Sequence, residues 1–223
     1  MNDLISSLEQ KFGRASNTEI AQQQKAYMKD QFEYFGIKAP ERKEIVKPYF
    51  SKGLLPPKES LPPLIKQLWS QPQREYQYFG QELLYRYRKR LIEEDIDLLQ
   101  FMIVNKPWWD TVDYIAAKLL GSYFEIFPER RSPSVQQWLS TDNIWLLRSS
   151  ILFQLKYRDR LDTDLLTQVI QSLLGSKEFF INKAIGWILR EYSKTDPKWV
   201  ITFVESNPLH PLSRKEAMRL IRN

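Results

Sequence analysis

Four stretches of the chain open alike: REYQYFGQELLYRYRKR from Arg74, WWDTVDYIAAKLLGSYF from Trp108, IWLLRSSILFQLKYRDR from Ile144 and FINKAIGWILREYSK from Phe180. Each places apolar residues three and four positions apart, the spacing that lines one face of an α-helix. The starts lie about 35 residues apart, the length of a two-helix unit, which is the mark of a helical-repeat solenoid of the HEAT sort. Such helix pairs bury their apolar faces on their neighbours and leave a concave surface lined by the second helices. The expectation is an all-α protein, a curved solenoid or superhelix of HEAT-like repeats with a concave basic groove, forming one domain over residues 1–223.

Only 7 glycines occur, and β-branched alternation is scarce, so strands have little to be built from. Breakers fall between the periodic segments: GIKAPERK, SKGLLPPKESLPP, SQPQRE, NKPWW, FPERRSPS, STDN, TDP and NPLHPLS. Lys and Arg number 33 against 27 Asp and Glu, a formal net charge of +6, and the excess tilts the chain toward anionic partners such as nucleic acid or acidic membrane. MNDLISSLEQKFG carries no basic segment followed by a long apolar one, and no apolar run approaches the ~20 residues that span a bilayer. A soluble cytoplasmic protein is expected.

The chain has no cysteine and one histidine. Disulfides, thiolate nucleophiles and Cys-type zinc sites are thereby excluded, and a serine triad or multi-histidine metal site would rest on His210 alone, in NPLHPLSRK. Catalysis, if present, must run on carboxylates, lysines, tyrosines or bound water.

KPWWDTVDYIA is where such chemistry is best placed. Trp109 and Asp113 are spaced i, i+4 and share a helix face, with Asp110 on another face. On pattern alone, a plain helix start made by Asp110 or Thr111 accounts for the segment, Asp113 being merely favourable near the positive end of the helix dipole. Two other segments weigh against it. Arg148 sits inside an otherwise apolar helix, where it must snorkel to solvent, pair with a carboxylate such as Asp113, or face an anionic ligand. SKEFFINKAIGWILREYSK adds Phe179, Phe180, Lys183, Trp187 and Arg190. Aromatic, carboxylate and arginine positions thus fall in successive repeats, which a solenoid would align.

YMKDQFEYFGIKAPERK, KPWWDTVDYIA, DNIWLLRSSILFQLKY and KEFFINKAIGWILREYSKTDP resemble the AlkD family of DNA alkylation-repair glycosylases, built from HEAT-like repeats. The likeness runs from Tyr27 to Arg219. It implies a monofunctional glycosylase that removes cationic 3-alkyladenine and 7-alkylguanine from duplex DNA without flipping the damaged base. By that likeness Asp113 is the catalytic carboxylate, and Trp109 and Trp187 pack against the deoxyribose and flanking backbone. Arg148 supports phosphate contact and orients the site, and Tyr27, Lys156, Phe179, Phe180, Lys183 and Arg190 line the groove.

The chemistry is consistent with these residue types. An alkylated purine already carries the charge that protonation would supply, so its departure needs no general acid and the lack of a second histidine is no obstacle. One carboxylate can stabilise the oxocarbenium and align a water, and tryptophan faces add cation–π attraction of ~0.5 to 2 kcal/mol each. No cofactor is expected; the partner is double-stranded DNA containing alkylated purines, met by a monomer. Two alternatives remain: a catalytically silent repeat protein that binds distorted or branched DNA, and a protein-binding scaffold whose aromatics are core.

Overall fold

A computed structural model of the chain describes residues 2–51 and 53–221. These residues form α-helices joined by short turns and 3₁₀ segments, with no strand among them. In chain order the helices are α1 (Asn2–Arg14), α2 (Thr18–Tyr27), α3 (Ala39–Val46), α4 (Leu61–Ser70), α5 (Arg74–Arg86), α6 (Asp95–Val104) and α7 (Trp109–Tyr114). There follow α8 (Gly121–Ile126), α9 (Arg131–Leu139), α10 (Ile144–Leu152), α11 (Thr163–Ser172), α12 (Phe179–Tyr192), α13 (Pro197–Ser206) and α14 (Pro211–Ala217). The all-helical expectation holds. None of these helices is long and apolar enough to cross a membrane.

The helix starts recur more evenly than the sequence segments do. Helices α5, α7, α10 and α12 start at Arg74, Trp109, Ile144 and Phe179, each 35 residues after the one before. Trp108 is the cap of α7 rather than its first residue. Each of the four is preceded by a partner helix, α4, α6, α9 or α11. Prolines expected to break the chain instead mark beginnings: Pro40, Pro62 and Pro197 sit in the first turn of α3, α4 and α13, where their missing N–H has no partner to lose. Asn17, Asn143, Asp162 and Asp196 cap α2, α10, α11 and α13 with their side-chain oxygens, worth about 1 kcal/mol each.

The chain divides into two compact units, one up to Arg90 and one from Leu91. In the first, α4 packs on α5 and buries Leu64, Ile65, Leu68 and Trp69 against Phe79 and Leu83. The turn before α3 is tied down by one carboxylate. Glu75, 1% exposed, accepts the backbone N–H groups of Phe35, Gly36 and Ile37 at 3.2, 3.1 and 3.3 Å. Gly36 has φ +85° and its absent Cβ would stand 2.0 Å from the Asn17 carbonyl oxygen, so only glycine satisfies both the backbone and the space.

In the second unit α10 is the central helix, touching α6, α7, α9, α11 and α12. Its sequence is apolar on nearly every side, the composition of a helix enclosed by others, and Trp145, Leu146, Ile151 and Leu152 are buried. Arg148 is buried with them. Helix α7 passes without a break through a π-helical stretch, Ile115–Leu120, into α8. The wider turn inserts an extra residue and resets the register of α8 relative to α7, a feature common beside functional positions.

Candidate active site

Helix α7 begins with Trp109 and carries Asp113 one turn on, so the expected shared face exists. The Trp108 side chain does not cap α7, and the Thr111 hydroxyl donates to the Trp108 carbonyl at 3.4 Å. Asp113 does something other than stabilise that helix end. The Arg148 Nε donates to its Oδ1 at 2.7 Å and the Arg148 Nη2 to its Oδ2 at 2.9 Å. This is a two-pronged fork in which a planar guanidinium fixes a carboxylate in plane and in angle. The remaining nitrogen, Nη1, donates to the Phe180 carbonyl. Of the three fates open to a buried arginine, pairing with Asp113 is the one realised.

Exposure separates the two partners. The Arg148 side chain keeps 4% of its surface and the Asp113 side chain keeps 16%, so Asp113 is the more exposed member of the pair. Burial pushes the Asp113 carboxyl above its ordinary value, the bond to Arg148 and its positive charge pull it back, and the Asp110 charge pushes it up further. An ion pair this deep is held by geometry more than by net energy. Removing either member would strand the other at a cost of about 3–5 kcal/mol.

Phe180 contributes more than its carbonyl. Its ring packs 5.3 Å from Trp108 and 4.9 Å from Trp145, which are themselves 5.6 Å apart, and the Arg148 guanidinium lies 5.9 Å from its centroid. This aromatic triangle draws together the starts of α7, α10 and α12 beside the ion pair. Contacts of this kind add about 0.5–1.5 kcal/mol each beyond area burial. Trp108 and Trp145 were not anticipated, although aromatics recur at the start of the three repeats as WW, IW and FF.

The other anticipated residues sort by position. Phe179 is 59% exposed and packs edge-on against Phe180 at 5.5 Å. Phe180, Lys183, Trp187 and Arg190 are all partly exposed positions of α12; the last three lie at i, i+4, i+7 and form one stripe. Lys183 donates to Glu216 at 2.7 Å, and Arg190 pairs with the same carboxylate. Lys156, on an exposed turn, lies 3.7 Å from Glu191. Tyr27, at the end of α2 in the first unit, is 68% exposed. Glu216 and Glu191 escaped the sequence reading because nothing in SRKEAMRL or LREYSK distinguishes a carboxylate that holds cations from a solvated one. His210 caps α14, its Nδ1 accepting the Leu212 N–H at 3.1 Å.

A cavity of 370 Å³ is lined by Leu155, Arg158, Leu161, Ile188, Glu191, Tyr192, Lys194 and Thr195. None of the anticipated residues lines it. No group of three or more His, Cys, Asp or Glu side chains suited to a metal ion occurs among the described residues.

The sequence model of the family described as DNA alkylation repair enzyme matches residues 8–221. The chain belongs to that family. A solved structure described as a predicted DNA alkylation repair enzyme from Enterococcus faecalis is 33% identical to this DNA alkylation repair family member. Its likeness covers 93% of this chain and 97% of that one, with a TM-score of 0.86. No curated protein matches. Membership in the DNA alkylation repair family makes enzymatic repair of alkylated DNA the frame in which the Asp113 and Arg148 pair has to be understood.

Proposed function

We propose that the protein is a monofunctional DNA glycosylase that hydrolyses the N-glycosidic bond of cationic 3-alkyladenine and 7-alkylguanine in duplex DNA, leaving the damaged base outside any enclosing pocket. The observation that carries this reading is the Asp113 carboxylate, held by the Arg148 fork on a side chain that stays partly exposed. As the bond breaks, both its electrons leave with the purine and neutralise its charge, and the sugar becomes an oxocarbenium. A carboxylate fixed in advance stabilises that cation without reorganising, and it orients a water whose oxygen bonds to the anomeric carbon as one of its protons passes to the carboxylate and on to bulk water.

Arg148 is in this scheme a positioning residue. With Nε and Nη2 on Asp113 and Nη1 on the Phe180 carbonyl, contact with a phosphate would require giving up one of these bonds. The guanidinium instead keeps Asp113 ionised against the cost of its burial, and the lone pairs it leaves unused remain for the sugar and the water. Trp109, on the same face of α7 as Asp113, and Trp187 on α12 supply the aromatic faces for the deoxyribose and its flanking backbone. Lys156, Lys183, Arg190, Phe179 and Tyr27 meet the strand.

The 35-residue recurrence of helix starts supports the HEAT-like reading of the repeats, and a basic groove for the duplex belongs to the same proposal. The site so proposed addresses the sugar and does not enclose the base. Selectivity then comes from the lability of the bond.

A panel of defined duplexes under single turnover tests this. Release of 7-methylguanine, 3-methyladenine and a bulky 7-substituted guanine is expected, with hypoxanthine and ethenoadenine retained. Efficient hypoxanthine release, or failure on the bulky adduct alone, would establish a base-enclosing pocket. Duplex binding with no base released from any lesion would favour a silent DNA-binding protein.

A further inference from the structure

Glu216 sits where α14 lies close against Gly186 of α12. A Cβ on Gly186 would stand 2.6 Å from the Glu216 Cβ and 2.9 Å from the Ser213 carbonyl oxygen, so the glycine lets α14 lie directly on α12 despite its helix cost of about 0.5–1 kcal/mol. The Glu216 side chain, 10% exposed, spans that contact. One carboxylate oxygen accepts the Lys183 ammonium at 2.7 Å and the other lies against the Arg190 guanidinium, with Arg219 at 3.8 Å. Lys183 is one turn before Gly186 and Arg190 one turn after it.

Three cations converge on a single buried carboxylate, and of these Arg190 also feels the charge of Glu191, so the cluster holds more positive charge than Glu216 alone offsets. As a device for stability alone it is wasteful, since one cation would have satisfied one carboxylate and like charges repel. Trp187 lies between Lys183 and Arg190 on the same stripe of α12, four residues after the lysine and three before the arginine.

We infer that Glu216 is a positioning residue that holds Lys183 and Arg190 on either side of Trp187, so that two fixed cations grip the phosphates flanking a damaged nucleotide and set it against that tryptophan. This rests on the glycosylase reading given above. Without the tether, both long side chains reach phosphates wherever they meet them, and binding no longer fixes register.

The inference separates binding from positioning with opposite signs. Glu216→Gln keeps the shape of the side chain and removes the charge. Single-turnover release of 7-methylguanine is expected to fall about ten- to a hundredfold, the scale of a misplacement near 1 Å. Affinity for undamaged duplex should hold or rise, and the log–log salt slope should steepen by about 0.9 as a freed cation displaces a further counterion. A purely structural role lowers rate and affinity together and leaves the slope alone; that result, or a rate within about twofold of wild type, overturns the inference.

Thermal unfolding of the same preparations reports folding. Glu216→Asp, which keeps the charge on a side chain one methylene shorter, is the second variant, with slower release and the wild-type slope expected; wild-type release would count against the tether. Wild-type protein assayed in parallel distinguishes the two claims. If it releases no base, the glycosylase reading fails, and the slope on undamaged duplex then decides whether Glu216 tethers the cations.

Discussion

Arg148 and Asp113, one repeat apart in the chain, are joined by two parallel N–H···O bonds of 2.7 and 2.9 Å. The fork sets the orientation of the carboxylate from a neighbouring helix and leaves the Asp113 side chain partly exposed.

Asp113→Asn removes the charge and keeps the outline. Base release from 7-methylguanine duplex should drop about 100- to 1,000-fold, the usual loss for one preorganised electrostatic group, or roughly 2.7–4 kcal/mol. Duplex affinity should be unchanged or slightly better, as read by fluorescence anisotropy. Near wild-type release by this variant would remove Asp113 from the chemistry.

The acid limb of the pH–rate profile should report the same carboxylate. Asp113 is raised above its ordinary value, by burial first and by Asp110 in addition, with Arg148 opposing, and its working form is ionised. Release should therefore fall as pH drops through a midpoint above that of a free aspartate. Arg148→Met takes away the opposing pull, so the limb should move to higher pH and part of the lost rate should return in alkaline buffer. The sign for stability is the reverse of that for activity: a carboxyl raised on folding favours the fold below its unfolded value, and that contribution is lost as pH rises through the folded one.

Salt titrations should distinguish the cations. Lys156 is 60% exposed and Lys183 40% exposed, whereas Arg148 is 4% exposed. Lys156→Ala should reduce the slope of log affinity against log salt by about 0.9. Arg148→Met should leave the slope where it was while slowing release. A slope lowered equally by both would place Arg148 on a phosphate after all.

His210→Ala should cost about 1 kcal/mol through the lost α14 cap and leave single-turnover release unaltered. Release should also survive exhaustive chelation, and borohydride should trap no protein–DNA adduct, because carboxylate and water chemistry forms no Schiff base. A trapped adduct would redirect attention to Lys156 or Lys183.

Much of this was legible because helices announce themselves locally. Apolar spacing in α5, α7, α10 and α12 is a property of each segment, and it located their starts to within a residue. The Asp113 and Arg148 pairing was one of three options for a buried arginine and needed only the repeat to bring it about. Glu216 was not legible. Its significance comes from Gly186, thirty positions earlier, and a close approach of two helices leaves no mark in either one alone. The breakers misled in detail because proline interrupts a helix interior but opens a first turn, and GIKAPERK, SKGLLPPKESLPP and FPERRSPS each run into a helix start.

Asp113, Arg148 and Lys183 occupy the same place in α7, α10 and α12, four residues after Trp109, Ile144 and Phe179. One structural address thus holds an acid, then a base that binds it, then a base that faces outward from a different partner. Neither α7 nor α10 holds both members of the pair, since the residue that orients the α7 carboxylate is supplied by α10. The pairing therefore needs both α7 and α10, and α12 completes it by giving the third guanidinium nitrogen a backbone carbonyl to hold.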